Sequence, residues 1–355
     1  MISASFAPAP GSLPERHRVA VYRANDDVRI EERPLPSPSA GEALLRIRAS
    51  GVCGSDVMEW YRKPKAPTVL GHEVAGDLAW VSPEIRGWRA GDRVVATHHV
   101  SCGTCRHCRR GNDAACALLK TTHFDPGGFC EFARLSPVHV ARGLLRLPED
   151  MTYEEGSFVE PLGCVLRGQR NAGGVRPSDS VLVLGAGLSG LLHVQVAAAC
   201  GASVLAADLV PFRLKAAERM GARAVFDARS FDAAALRAQN EGRRADLVVV
   251  TAGAPSALAR AFECVEPGGA VLFFAPTMPG TRVEMPFNDL WRDEVRLCST
   301  YGASPTDLQD ALGLLARREV DVREMVTHRL PLARAAEGFA LTAGAGESLK
   351  VVLAP

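Results

Sequence analysis

The chain has 355 residues, long enough for about two domains, and 47% of them are apolar, enough to fill two cores. Its 41 basic and 40 acidic residues nearly cancel, so charge gives no reason to expect a nucleic acid or a membrane surface as partner. No run of about 18 apolar residues appears, and no helical membrane span is expected.

Residues 1–18 are rich in Pro, Ser and Ala and lack the apolar core of a secretion signal; they are expected to form a flexible tail on a cytoplasmic protein. Residues 19–133 read as β-rich. Short apolar runs at 19–22, 43–49, 74–81, 93–96 and 129–135 are separated by Gly, Pro and Asp signals. Pro34, Pro36 and Pro38 mark an extended loop, and Gly41-Glu42 and Gly91-Asp92 look like tight turns before strands. From about Asn171 the pattern changes. Strands are predicted at 181–184, 203–207, 224–226, 246–251, 270–274 and 295–298. Helices are predicted at 188–200, 212–220, 231–240 and 256–265, with a turn at Pro267-Gly268-Gly269. This alternation belongs to a doubly wound parallel sheet. A last helix at 306–317 and a strand at 350–353 are too little for a third domain and are expected to return to the first.

The strand at 181–184 runs into Gly185, Gly187 and Gly190 at G-x-G-x-x-G spacing, and a helix opens at once with Leu188 and Ser189. The glycines suit a tight turn, a close backbone approach to a pyrophosphate and tight helix–strand contact. The helix N-terminus then favours the phosphate charge. The next strand ends in Asp208, 23 residues beyond Gly185, where an acid can accept ribose hydrogen bonds and repel a 2′-phosphate. These features predict a dinucleotide site that takes NAD rather than NADP, with Thr251 counted among its residues; the plainer reading is an ordinary strand-to-helix turn.

Ten cysteines in a long chain without a signal read as metal ligands or buried thiols rather than disulfides. Cys102, Cys105, Cys108 and Cys116 fall within 15 residues, with Gly103 and Gly111 to let the backbone fold around them. Four thiolates suit a closed, structural zinc site. A second set is dispersed: Cys53, His72 with Glu73, and Glu160. One thiolate, one imidazole and a carboxylate can hold zinc and leave a position open. By spacing alone this second set is weak, because a lone His beside Gly is often structural.

Together these residues resemble the zinc-dependent medium-chain dehydrogenases, in the branch of the sorbitol (polyol) and threonine dehydrogenases. The likeness rests on residues 51–56, Gly71-His72-Glu73, Gly91-Asp92-Arg93-Val94, the four-cysteine lobe, Glu160-Pro161-Leu162, the glycine turn with Asp208, and Lys350-Val351-Val352. It spans residues 19–353, nearly the whole chain. The resemblance implies a GroES-like β-barrel catalytic domain (19–170 and 303–355, with a structural zinc lobe near 100–118) and an inserted Rossmann NAD-binding domain (171–302). It implies two zinc ions per chain, the catalytic one held in the interdomain cleft by Cys53, His72 and either Glu73 or Glu160. Asp56 matches a residue that orients the zinc-bound His.

The expected reaction is oxidation of a secondary alcohol of a polyol, cyclitol or amino-alcohol, with hydride passed to NAD. Ser55 matches the hydroxyl that starts the family's proton relay. Met58 and Glu59 stand where relatives carry the relay His or a Tyr, so Glu59 is either a substitute acceptor, a substrate contact or a solvated surface group. His99 matches a pocket His of threonine dehydrogenases. Arg296 matches an Arg near substrate and coenzyme in sorbitol dehydrogenases, but Leu297 replaces the aromatic that follows it. Arg213 either flanks the adenine or is a surface residue. Relatives form dimers or tetramers, so a homodimer or homotetramer is expected. Two other readings stand beside this one: an NADPH-dependent biosynthetic ketoreductase, and a catalytically silent NAD-binding sensor or structural protein.

Overall fold

The computed structural model describes residues 13–355. The first part of the chain carries β1 (Arg16–Ala24), β2 (Asp27–Pro34), β3 (Ala43–Val52), β4 (Thr68–Val69), β5 (Glu73–Val81), β6 (Arg93–Thr97), β7 (Phe132–Leu135) and β8 (Leu144–Arg146). β1 pairs with β2 and β4 in a small antiparallel sheet. β3, β5, β6 and β8 form an antiparallel run, with β7 also paired to β3. Val19, Val21, Leu45 and Ile47 all enter one core between these sheets.

The second part carries β9 (Ser180–Leu184), β10 (Ser203–Asp208), β11 (Ala224–Asp227), β12 (Ala245–Val250), β13 (Val265–Phe273) and β14 (Arg296–Ser299). All are parallel, in the order β11-β10-β9-β12-β13-β14. β9 is buried along its whole length, as expected for a strand covered by helices on both faces. The strand order reverses between β9 and β12, and a ligand crevice opens beyond the carboxyl ends of such a pair. Gly185 follows β9 and Thr251 follows β12, so both sit at that crevice.

The chain then returns. β15 (Val326–Pro331) lies parallel to β16 (Lys350–Ala354), and β16 pairs antiparallel with β3, Val352 opposite Gly51. The last strand is thereby threaded into the first sheet, and Lys350 is delivered to the end of β3 that leads into Cys53. Among the described residues no helix is long and apolar enough to cross a membrane.

Local expectations needed correction. The stretch expected as tail overlaps β1: Arg16, His17 and Arg18 pair with Pro34, Arg33 and Glu32. Residues 1–12 lie outside the described part. The turn at Pro267-Gly268-Gly269 lies inside β13, where pairing with β12 jumps from Ala245↔Val265 to Leu247↔Ala270 and Gly268 adopts φ +75°. The run at 129–131 holds β1 by a single bridge, Val19 to Cys130, and regular pairing starts at Phe132.

His193, on the helix Leu188–Ala199, is fully buried against Phe274 and Gln169. Burial pushes its imidazole down from 6.5 to about 3. The folded protein keeps the ring neutral, whereas the unfolded chain takes up a proton as pH falls below its own higher pKa. This site should therefore remove stability between 6.5 and about 3, with a slope approaching about 1.4 kcal/mol per pH unit. Denaturant melts at stepped pH values should show a shallower acid slope in His193→Gln; an identical slope would contradict the assignment.

Candidate active site

Cys53 follows β3 directly, in extended conformation, and caps a short turn at Gly54–Val57. Its Sγ accepts the Ser55 amide at 3.4 Å, and Asp56 Oδ2 accepts the Cys53 amide at 3.1 Å. These bonds fix the thiol against the strand end. His72 precedes β5, and its Nδ1 lies 3.4 Å from Asp56 Oδ1, which leaves Nε2 for a metal. Burial opposes protonation of His72, but the Asp56 and Cys53 charges outweigh it and hold the ring well above its usual value. The same field favours a cation among these groups.

Glu73 opens β5 and is fully buried. Its Oε2 pairs with the Lys350 ammonium, which is equally buried. Its Oε1 has no hydrogen-bond partner. A buried carboxylate oxygen left unmatched is costly, so a ligand is expected to meet it. Ligand atoms of Cys53, His72 and Glu73 all lie within 4.8 Å of one another. Three ligands of this kind fit a zinc site with one position open. The pairing of Glu73 with Lys350 depends on Gly51, because a Cβ there would stand 2.2 Å from Glu73 Oε2. Glu160, in the first turn of the helix Val159–Asn171, lines the same cavity and accepts the Cys164 thiol at 3.5 Å. Burial, reinforced by Glu73 and opposed by His72, holds its carboxyl above the usual range.

The cavity has a volume of about 1190 Å³. Cys53, His72, Glu73 and Glu160 border one part of it; Gly187, Leu188, Ser189, Gly190, Arg213 and Thr251 border another. At the glycine turn, Gly185 adopts φ +102°, and a Cβ on Gly190 would strike Gly185 O at 1.9 Å. Thr251 Oγ1 donates to Gly185 O at 2.7 Å and braces the turn from β12. Asp208 stands behind it, accepting Ala186 N at 2.6 Å and Val210 N at 2.8 Å. The space beside Gly187 is open as far as the Arg213 guanidinium, 3.8 Å from an ideal Cβ.

Beside His72 the cavity is lined by a run of rings. His98 stacks on His72 at 4.8 Å and on His99 at 3.7 Å. His99 Nδ1 lies 3.2 Å from Thr122 O, and its Nε2 lies 3.3 Å from the Tyr301 hydroxyl. Burial lowers the His99 imidazole to about 4, so it is neutral near pH 7.

The four-cysteine lobe is a closed cluster. Its ligand sulfurs lie within 4.8 Å of one another, and all four cysteines are free of disulfides. Cys102 and Cys108 sulfurs are 3.8 Å apart and Cys105 and Cys108 sulfurs 3.5 Å. A tetrahedron of thiolates around zinc has edges of about 3.8 Å, so the cluster fits that ion. Amide hydrogen bonds from Thr104 and Cys105 draw the Cys102 thiol down to about 5, toward the ligating form. Arg167, on the helix that carries Glu160, donates to Gly111 O at 3.1 Å and ties the lobe to that helix.

Two expected site residues fall elsewhere. Glu59 does not line the cavity: it accepts the Asn25 amide at 3.1 Å and pairs with Lys63 at 3.0 Å, because its one-turn helix points it outward. Arg296 begins β14, at the amino end of a parallel strand and thus opposite the crevice, where it is exposed beside Gly173. Neither position supports the expected role, relay or pocket for Glu59 and coenzyme binding for Arg296. Sequence reasoning missed Lys350 as partner of Glu73, and Arg62, whose Nη2 lies 3.0 Å from Ser55 Oγ. It also missed Tyr61 and Tyr301; no motif marks them, since they meet only in the folded chain.

The chain matches the family model of the alcohol dehydrogenase GroES-like domain over residues 39–148 and that of the zinc-binding dehydrogenase over residues 190–317. It is 31% identical to a sorbitol dehydrogenase of Gallus gallus, covering 94% of this chain and 95% of that one. It is also 31% identical to a D-altritol 5-dehydrogenase of Agrobacterium fabrum, covering 85% and 89%. Among solved structures it resembles an alcohol dehydrogenase from Thermus sp. ATN1, with TM-score 0.84, 29% identity and coverage of 95% and 99%.

Removing Lys350 should strand the Glu73 charge. Lys350→Met is expected to cost about 3 kcal/mol in denaturant melts. The double variant Lys350→Met/Glu73→Gln, which removes that charge, should recover much of the loss. A double variant no more stable than the single would contradict the pairing.

Proposed function

The chain belongs to the zinc-dependent medium-chain dehydrogenases, in their sorbitol dehydrogenase-like branch, and on that premise we propose that it oxidises a secondary alcohol of a polyol, cyclitol or amino-alcohol to a ketone, passing the hydride to NAD. We assign it two zinc ions per chain, one in the four-cysteine lobe and one at Cys53, His72 and Glu73. The observation that carries the reading is the unmatched Glu73 Oε1, buried beside a thiol and an imidazole at a cavity that the glycine turn also borders.

Zinc, when bound, supplies a Lewis acid that lowers the pKa of the alcohol hydroxyl. The protein's own groups do the rest. Asp56 holds His72 in the tautomer that leaves Nε2 free, and Lys350 holds one Glu73 oxygen so that the other faces the metal. Ser55 Oγ lines the cavity and accepts a hydrogen bond from Arg62 at 3.0 Å; it would take the proton that the alcohol loses while passing its own to water. The turn at Gly185, Gly187 and Gly190 would hold the coenzyme pyrophosphate and so orient the nicotinamide towards the alcohol. Thr251 keeps that turn rigid.

Asp208 is buried behind the glycine turn rather than on the cavity wall, and its charge at the end of β10 supports NAD over NADP by opposing a 2′-phosphate beside that turn. In the sheet, β14 is an edge strand, and Leu297 on it is 40% exposed while Phe287 and Trp291 nearby are 69% and 70% exposed. An unpaired edge beside exposed apolar side chains supports a homodimer joined through β14.

NADH absorbance over a panel of polyols, cyclitols and amino-alcohols should reveal turnover, with kcat/KM at least about tenfold higher for NAD than for NADP. Cys53→Ser should abolish turnover and leave NADH binding intact. Activity that persists in a metal-free Cys53→Ser protein, or a preference for NADP, would contradict the respective assignment. Light scattering should give a dimer or a multiple of it, and Leu297→Lys with Trp291→Lys should shift the mass to the monomer; an unchanged mass would exclude the β14 edge.

A further inference from the structure

Arg62, Lys65 and Arg213 bring positive charge to the cavity. Arg62 is engaged: its Nε donates to Ser55 O at 2.8 Å, and its Nη2 lies 3.0 Å from Ser55 Oγ and 3.4 Å from Asp56 Oδ1. Arg213 stands beside the glycine turn, where the coenzyme is assigned. Lys65 is engaged only by the Tyr61 side chain, with which it hydrogen-bonds. Lys63, two residues earlier, turns outward and pairs with Glu59 at 3.0 Å. Lys65 is exposed where it borders the cavity and forms no ion pair among the described residues; its ammonium lies 4.2 Å from the centre of the Tyr61 ring.

The surroundings of Lys65 are donors and rings. Tyr61 hydrogen-bonds Tyr301, and Tyr301 reaches His99 at 3.3 Å, which continues through His98 to the metal ligand His72. His123 lines the same region; burial first, then the Lys65 and Arg62 charges, keep its ring below the usual value and so neutral, with an N–H to offer. Among the described residues the carboxylates lining the cavity are Asp56, Glu73 and Glu160, all at the metal end. Away from these three the cavity thus holds no acid to pair with an amine, and it holds one ammonium with no carboxylate partner.

We propose that the substrate alcohol carries an anionic group, a phosphate ester or a carboxylate, several bonds from the carbinol carbon, and that Lys65 with Tyr61 and His123 binds it. This rests on the dehydrogenase reading above and narrows its substrate class. The chemistry at the carbinol is unchanged. Lys65 sets specificity by rewarding the charge at the far end, and the same charge disfavours an amine there.

The test uses the full-length, zinc-loaded enzyme with NAD and three alcohols: a hexitol, its terminal phosphate ester and the matching polyhydroxy carboxylate. At least one anionic alcohol should exceed the hexitol in kcat/KM by about tenfold, chiefly through KM, as one charge-assisted contact allows. Lys65→Met should erase that preference and Lys65→Arg should keep it. Preference for the ester identifies a phosphate and preference for the acid a carboxylate; either supports the proposal. A hexitol equal to or better than both, or a preference that survives in Lys65→Met, overturns it. If none of the three is oxidised, equilibrium binding to the enzyme–NADH complex decides the matter. Tighter binding of an anion that is lost in Lys65→Met supports the subsite, and equal binding overturns it. Absence of turnover then counts against the dehydrogenase reading alone.

Discussion

A carboxylate buried beside an ammonium, with one oxygen left over, is the constraint on which the site depends. Glu73 and Lys350 are both fully buried, so neither charge can rely on water. Lys350 neutralises Glu73 on one side, and the remaining oxygen faces a thiol and an imidazole. Such an arrangement is stable when a cation completes it. β16 lies on β3 and brings Lys350 to within reach of a residue 277 positions earlier. Gly51 keeps the intervening strand thin enough for the two to meet.

The second constraint is the crevice of the parallel sheet. Its location follows from strand order alone, since β9 and β12 send their following loops to opposite sides. The glycine turn then has to be both tight and rigid. Gly190 permits contact with Gly185, Thr251 braces it from the neighbouring strand, and Asp208 anchors it from behind. Cys53, His72, Glu73 and this turn border one cavity, so on the proposed assignment an alcohol held at the first three could meet a nicotinamide held at the turn. Arg167 links the four-cysteine lobe to the helix bearing Glu160, which gives the lobe a mechanical connection to the site as well as its own cohesion.

The parallel-sheet half was legible in the sequence because its strands are continuous apolar runs and its turn has a fixed glycine spacing. The predicted strand at 181–184 and helix at 188–200 match β9 and the helix Leu188–Ala199 to within a residue. The cysteine lobe was legible because its four sulfurs lie close in sequence. The dispersed metal set was visible only through its local motifs, and its electrostatics were not visible at all. Glu73 and Lys350 meet through sheet register, which no local pattern encodes. Glu59 was misread because a one-turn helix has no periodicity to show which way it faces. Arg296 was misread because its neighbours in sequence do not reveal which end of β14 faces the coenzyme. Tyr61, Lys65 and Tyr301 come from two distant segments, so the character of the outer pocket emerges only on folding.

Anomalous diffraction at the zinc edge, from crystals grown with zinc and NAD, tests the central claim most directly. The account predicts two peaks per chain: one among the four lobe cysteines, and one about 2.0–2.3 Å from Cys53 Sγ and His72 Nε2 at the cavity wall. A single peak, in the cysteine lobe alone, would contradict it.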